Sequence, residues 1–142
     1  MSYTPEATDP HVAEVTIDNY DFDNGSSDWT LSDASISTDS DIVFSRGSSL
    51  YIDTESGIAS QTVTIETNTN YTLTAFVNGN ATLGADVDGT TYESSVTASD
   101  FELTSVSFNS GSATSVTIYG TLSTDGTSAT FDSFRLVSHE TL

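Results

Sequence analysis

The most constraining feature of this sequence is an alternation of apolar and polar residues with a period of two, interrupted at intervals of about ten residues by turn-forming residues. Near the start of the pattern, Ala13, Val15 and Ile17 are separated by polar side chains. A strand with one buried face has this pattern. No segment shows the competing apolar period of a helix. Short strands without crossover helices predict an all-β fold, an antiparallel two-sheet sandwich.

The alternation predicts about ten strands. The first begins at Val12, and the others are predicted over Asp41–Phe44, Ser49–Asp53, Ile58–Glu66, Asn70–Asn78, Ala81–Val87, Thr90–Val96, Phe101–Asn109, Ser115–Leu122 and Ala129–Val137. The pair Asp88-Gly89 predicts the clearest hairpin, because both residues tolerate positive φ. Further turns are predicted at Asn24-Gly25, Asn78-Gly79, Ser110-Gly111 and Asp125-Gly126.

The length of 142 residues suits one domain, and a core of this size forms without disulfide or metal. Residues 1–11 contain both prolines and no apolar period, which predicts a linker or tail. The sandwich is predicted over residues 12–138, followed by a tail at 139–142. No basic segment with an apolar stretch behind it precedes the first strand, so we expect a mature segment, and we expect it to act as a monomer.

The charge balance excludes two classes of partner. The chain has 21 acidic residues, no lysine and only two arginines, Arg46 and Arg135, for a net charge of -19. Nucleic acid and anionic membrane surfaces repel such a chain, and no basic patch offsets the repulsion. No apolar run is long enough to span a bilayer as a helix.

Composition also bears on habitat and catalysis. Serine and threonine number 24 each, which is typical of an extracellular β-domain. The acidic surface suits a marine or saltier medium, or serves solubility alone. Without cysteine or lysine, and with His11 and His139 outside the strands, no nucleophile and base form a pair. We therefore expect a protein that is not an enzyme.

Strand parity places two aromatic rings on the polar side of their strands. In the strand containing Tyr71 and Leu73, the alternation points Phe76 outward together with Asn78. In the strand containing Ile118, it points Tyr119 outward. We expect these side chains and Asp86 to share one sheet face, with Tyr51 and Tyr92 nearby.

Four stretches of the sequence form an ordered series of short motifs. The first runs from Asp18 to Gly25 and is followed by Trp29, and the others are Gly47–Ile52 with Ala59–Val63, Tyr71–Val77 and Thr130–Leu136. Together they resemble the carbohydrate-binding modules of the jelly-roll group of families 4, 9, 16 and 22, whose opening motif is Asn-Gly-x-Phe-Glu...Trp. Tyr20 stands where that motif usually has Gly, Asp23 where it has Glu, and Ser133 where the closing strand has a second Asp.

The resemblance implies a jelly roll that binds a glycan and accompanies a secreted polysaccharide-degrading domain in the same chain. It also implies a structural Ca²⁺ between the opening and closing strands. Asp23 and Asp132 occupy the matching positions, and Asp21 and backbone oxygens near Arg46 and Gly47 could complete a shell of oxygen ligands. The alternative for these carboxylates is simple turn capping.

The six expected ligand residues combine aromatic rings with carboxylate and amide groups, the mixture that a sugar needs. They are Phe76, Tyr119, Asp86, Asn78, Tyr51 and Tyr92. With so few cations, a neutral plant or algal polysaccharide is favoured over a uronate polymer such as alginate, which would need Arg135 or a calcium bridge. The alternative function is an adhesin-like or spacer module that binds no soluble glycan. Trp29 is expected to pack within the fold.

Overall fold

The computed structural model describes residues 12–38, 48–123 and 126–139. The predicted linker 1–11 and the predicted strand at 41–44 lie outside this part. The described residues form nine strands and no helix, hence none that could cross a membrane. The strands are β1 Val12–Val15, β2 Thr30–Ser32, β3 Ser35–Ser37, β4 Ser49–Ile52, β5 Ile58–Thr64, β6 Asn70–Val87, β7 Thr90–Asn109, β8 Ser115–Leu122 and β9 Ala129–His139. The predicted all-β fold of roughly ten strands is confirmed.

The long strand β6 joins two sheets. It pairs with β7 along nearly its whole length on one edge. On its other edge, it pairs first with β9 and then with β8. The first sheet therefore has the order β2-β5-β8-β6-β7, using the second half of β6. The second sheet contains β7, the first half of β6, β9, β4 and β3, with β1 paired to the end of β9. All pairings are antiparallel.

The passage of β6 between the sheets occurs at Gly79, where the sequence predicts a turn. The strand continues through this point with a register shift between Val77 and Gly79. Gly79 has φ +88°, and a Cβ there would overlap the Ser128 carbonyl. The predicted turn at Asn78-Gly79 is therefore wrong, because a bulge accommodates the glycine within one strand. The hairpin turn at Asp88-Gly89 is confirmed, with both residues at positive φ.

Both sheets direct alternate side chains into one core. Leu83 and Ile118 from the first sheet are fully buried, as are Leu50 and Leu136 from the second. All four belong to the same apolar cluster. Because the two sheets enclose this single core, their outer faces lie on different sides of the sandwich.

The segment between β1 and β2 is fastened to this core by aromatic packing. The centroid of the Trp29 ring lies 5.0 Å from that of Phe22 and 4.8 Å from that of Phe134. Only 7% of Trp29 is exposed. Gln61 on β5 makes two hydrogen bonds with the backbone of Asp18, at 3.0 and 2.9 Å. The predicted packing role of Trp29 is confirmed.

Candidate functional site

The outer face of the first sheet carries mostly hydroxyl side chains, and we call it the hydroxyl face. It is formed by the outward residues of β2, β5, β8, the second half of β6 and the first half of β7. The charged residues of the hydroxyl face are Asp86 and Glu93, both of which carry carboxylates. The face consists of Thr30, Ser32, Ile58, Ser60, Thr62, Thr82, Gly84, Asp86, Thr91, Glu93, Ser95, Thr117, Tyr119 and Thr121.

Five directly paired residues cross this face from one edge to the other. The row runs through Thr30, Ser60, Tyr119, Gly84 and Glu93. Directly opposed residues in antiparallel strands have Cβ atoms about 5 Å apart, so their side chains form a continuous line. Tyr119 lies at the centre of the line.

The Tyr119 ring occupies the space that Gly84 leaves empty. A Cβ at position 84 would overlap the ring. The ring crosses β6, and its hydroxyl donates a 2.6 Å hydrogen bond to Oε2 of Glu93 on β7. Burial, this hydrogen bond and the charges of Glu93 and Asp86 hold the pKa of the phenol well above its ordinary value of 10.0.

Tyr119 is only 7% exposed, so the expectation of an open aromatic ring is wrong at this position. The tyrosine instead forms part of the floor of the face. Its buried neighbours Thr82 and Gly84 extend that floor, whereas Thr91, Glu93 and other edge residues are exposed. The face therefore has a buried centre, covered by the Tyr119 ring, and exposed polar side chains along its edges.

Hydroxyl pairs hold side chains of this face in place. Thr82 shares hydrogen bonds with Ser95 at 2.7 Å and with Ser123 at 2.9 Å. Thr62 and Thr117 form a further pair at 2.9 Å. Mutually bonded hydroxyls are held in place, and those that stay exposed, such as Thr62 and Ser95, keep acceptor capacity for an external donor.

The structure divides the predicted ligand residues between different faces. Asp86 shares the hydroxyl face with Tyr119, and its Oδ1 accepts a 2.9 Å hydrogen bond from the Gly89 amide in the hairpin turn. Phe76 instead lies opposite Leu103 on the second sheet, and Asn78 lies two residues further along the same strand half. The expectation of one shared face is wrong, because β6 passes from one sheet to the other between these residues.

The two remaining tyrosines also lie away from Tyr119. Tyr51 pairs with Thr130, which in turn pairs with Asn78, so Tyr51 belongs to the outer face of the second sheet. Tyr92 lies opposite the inward residue Ala85 and is packed against the core. Its ring centroid is 5.9 Å from that of Phe108. The sequence-based grouping of these tyrosines with Tyr119 is therefore wrong.

Sequence reasoning missed Glu93 and Gly84. Neither residue is unusual in a strand of alternating polar and apolar residues. Their importance follows from the register that places Tyr119, Gly84 and Glu93 side by side on three strands. The sequence indication available in retrospect is a glycine at an outward position within a strand, which often marks a close approach.

A second polar feature surrounds Asp132 on β9. This carboxylate is fully buried. Its Oδ2 accepts a 2.9 Å hydrogen bond from the buried Ser49 hydroxyl, and its Oδ1 accepts one of 2.7 Å from the Ser133 amide. Burial raises the pKa of Asp132 to about 6, against the lowering effect of these hydrogen bonds, and the charges of Asp21 and Asp23 add to the rise.

This arrangement suits a cation by charge but is not assembled as a ligand set. The described part of the chain contains no group of three or more His, Cys, Asp or Glu side chains placed to hold a metal ion. Asp23 is exposed and Asp21 half-buried, while Gly47 lies outside the described residues. The hard oxygen donors near Asp132 are those that Ca²⁺ prefers.

The sequence matches no family model. It also matches no curated protein at a significant level. Solved structures do match. The xylan-binding domain CBM22-1 of Paenibacillus barcinonensis Xyn10C aligns over 87% of this chain and 94% of its own, with 11% identity and a TM-score of 0.66. TmCBM61 in complex with β-1,4-galactotriose aligns over 87% and 98%, with 15% identity and a TM-score of 0.64.

A two-module structure matches as well. The CBM22-1-GH10 modules of Clostridium thermocellum xylanase Xyn10B, complexed with xylohexaose, align over 92% of this chain and 28% of that chain, with 15% identity and a TM-score of 0.60. This chain therefore has the β-sandwich fold of these carbohydrate-binding modules. The resemblance that the sequence motifs indicate is confirmed at the level of fold.

Proposed function

We propose that this chain is a non-catalytic carbohydrate-binding module and that its hydroxyl face holds the glycan. The observation that carries the proposal is the row of paired residues centred on Tyr119. The Tyr119 ring lies over Gly84, and its hydroxyl is hydrogen-bonded to Glu93. The fold shared with glycan-binding modules supports it.

The chemistry of the hydroxyl face suits a polyol. One oxygen of the Glu93 carboxylate accepts a hydrogen bond from the Tyr119 hydroxyl. Because Glu93 is exposed, the carboxylate keeps acceptor capacity for sugar hydroxyls. Fixed serine and threonine hydroxyls flank it as donors and acceptors. In this arrangement Tyr119 positions Glu93 and forms the floor, rather than acting as an exposed stacking ring.

The electrostatics of the face favour a neutral polysaccharide over a uronate polymer. Both charged side chains of the hydroxyl face are carboxylates, and the chain as a whole carries a net charge of -19. A polyanion such as alginate would bring its carboxylates against Glu93 and Asp86, which opposes binding. A plant or algal glycan of neutral sugars meets no such repulsion.

We further propose that the module is extracellular and works within a longer chain that carries a polysaccharide-degrading domain. The Xyn10B structure combines such a module with a GH10 module, which supports this arrangement. Binding to the polymer would raise the local concentration of the linked domain at its substrate.

A structural Ca²⁺ next to Asp132 is a separate proposal. The Asp132 carboxylate is buried, and the charges of Asp21 and Asp23 lie close enough to raise its pKa. A bound Ca²⁺ would offset the free-energy cost of bringing these negative charges together. When bound, the ion would link the segment between β1 and β2 to β9.

The alternative function is an adhesin-like or spacer module without a soluble glycan ligand. The burial of Tyr119 favours it, because a buried ring offers no open surface on which a sugar could stack. The two functions differ in one readily measured property, the retention of the folded protein by glycans.

Affinity electrophoresis through native gels containing single polysaccharides tests the proposed function. Xylan, galactan, mannan and mixed-linkage β-glucan serve as the neutral panel, and alginate and pectate as the anionic one. We expect retardation by at least one neutral glycan and none by the uronates. Free migration of folded protein through every gel would contradict glycan binding and favour the spacer function. Retardation by uronates alone would contradict the neutral class.

A further inference from the structure

A cavity of about 250 Å³ lies away from the hydroxyl face, where β1 leads into the segment before β2. It is lined by Glu14, Val15, Thr16, Ile17, Tyr20 and Phe134. The volume is below the range of about 300–1,000 Å³ that is typical for drug-sized ligands. It has room for a single sugar ring but not for a segment of several residues.

The lining combines an apolar floor with polar groups at the edge. Phe134 and Ile17 are buried, whereas Tyr20 is 52% exposed. The Tyr20 backbone carbonyl accepts a 3.1 Å hydrogen bond from the Phe134 amide, which holds the tyrosine against β9. An exposed ring beside a cavity offers the C–H face of a pyranose an apolar surface.

The polar side of the cavity is provided by Glu14 and Thr16. Oε2 of the Glu14 carboxylate lies 3.4 Å from Nε of the Arg135 guanidinium, and both side chains are about 60% exposed. This ion pair is open to solvent, so it leaves the carboxylate accessible. A carboxylate has two oxygens and can accept hydrogen bonds from two neighbouring sugar hydroxyls.

From this geometry we propose that the cavity is a second carbohydrate site that takes one neutral pyranose residue. Tyr20 contacts the apolar face of the ring, and Glu14 accepts hydrogen bonds from its hydroxyls. The site is built from other strands than the hydroxyl face and does not depend on the function proposed for that face.

A titration of ¹⁵N-labelled protein followed by two-dimensional NMR tests the proposal. The probes are methyl β-D-xylopyranoside and methyl β-D-glucopyranoside, with sodium glucuronate as the anionic comparison. A ligand with about a dozen heavy atoms is expected to bind with a Kd on the order of 1 mM. We expect the neutral probes to shift the amides of residues 14–17, 20 and 134, and glucuronate to bind less tightly because the net charge of -19 on the chain opposes an anion.

Variants identify the residues responsible. Tyr20→Ala is expected to weaken binding about tenfold, because the ring surface that covers the sugar is lost. Tyr20→Phe keeps the ring and is expected to bind within about twofold of wild type. Glu14→Gln is expected to weaken binding severalfold. Leu103→Ala, at a site 57% exposed on the second sheet, is the matched control and should leave the Kd unchanged.

Three results would overturn the proposal. They are the absence of shifts at residues 14–17 and 20 with every probe, equal affinity in wild type and Tyr20→Ala, and tighter binding of glucuronate than of the neutral probes. In the first of these cases, shifts confined to Gly84, Tyr119 and Glu93 would assign binding to the hydroxyl face instead. Comparable affinity of this site for xylotetraose and for the methyl glycosides would support a site that takes one ring, whereas much tighter binding of xylotetraose at residues 14–17 and 20 would overturn the single-ring site.

Discussion

The hydroxyl of Tyr119 donates a 2.6 Å hydrogen bond to a carboxylate oxygen of Glu93, although a complete strand separates the two residues. The contact is possible because Gly84, between them, has no side chain. The bond joins a buried phenol to an exposed carboxylate. It thereby fixes an acceptor at the edge of the hydroxyl face.

Replacing Tyr119 by phenylalanine removes this bond and retains the ring. We expect the free energy of unfolding to fall by about 1–2 kcal/mol, because a bond to a charged group is lost but the exposed Glu93 carboxylate regains water. Denaturant unfolding provides the measurement. Tyr51→Phe is the control, since Tyr51 is half-buried on the second sheet, and its loss should be smaller. Equal losses in the two variants would show that the Tyr119 hydroxyl contributes nothing specific.

Alanine at position 84 tests the packing of the Tyr119 ring. The added Cβ overlaps the ring, so we expect Gly84→Ala to destabilise the protein by about 1–3 kcal/mol. In a Tyr119→Ala background, the methyl group enters vacant space, and the same substitution should cost much less. Unfolding free energies of the two single variants and the double variant give the coupling. A cost of Gly84→Ala that is the same in both backgrounds would rule out this contact.

Asp132 predicts a pH dependence of stability in calcium-free protein. Its pKa of about 6 in the folded protein exceeds the ordinary 3.8, so folding favours the neutral carboxyl. Its contribution to stability is therefore complete below about pH 4 and is lost as the pH rises through 6. The loss amounts to about 3 kcal/mol.

Asp132→Asn isolates this effect, because the amide cannot ionise. The difference in unfolding free energy between wild type and variant should change by about 3 kcal/mol between pH 3 and 7, with the variant relatively more stable at pH 7. Chemical denaturation in the presence of a chelator measures it. A difference that does not vary with pH would mean that Asp132 has an ordinary pKa.

Calcium addition tests the proposed metal site. A ligand that binds only the folded state raises the Tm, so we expect Ca²⁺ to stabilise wild type relative to chelator-treated protein. At a free concentration about 100-fold above the Kd, the gain is about 2.7 kcal/mol. Asp132→Asn should lose most of it, whereas Asp53→Asn, an exposed residue elsewhere, should not. Identical melting curves for wild type with calcium and with chelator would eliminate the site.

Local sequence patterns predicted individual strands well. The strand over residues 115–122 agrees with the structure at both ends, and the Asp88-Gly89 hairpin has the expected backbone conformation. Both features depend on residues that are close together in the sequence. The strand depends on the alternation of its own side chains, and the hairpin on two adjacent residues with positive φ.

The arrangement of the candidate site depended on contacts between distant strands. Phe76 and Asp86 have the same parity in β6, yet they lie on different sheets because the strand passes Gly79 between them. The burial of Tyr119 depends on Gly84, and its hydrogen bond depends on Glu93. Parity specifies which side of a strand a residue occupies, but it does not specify which sheet that part of the strand joins.

Titration calorimetry with the neutral glycan that most retards the protein tests the central claim directly, by comparing wild type with Glu93→Gln and Leu103→Ala. Both substituted residues are exposed, one on the hydroxyl face and the other on the second sheet. We expect Glu93→Gln to weaken binding about tenfold or more, since a charged acceptor is lost, and Leu103→Ala to remain within about twofold of wild type. Unchanged affinity in Glu93→Gln together with a large loss in Leu103→Ala would place the glycan on the second sheet and contradict the account.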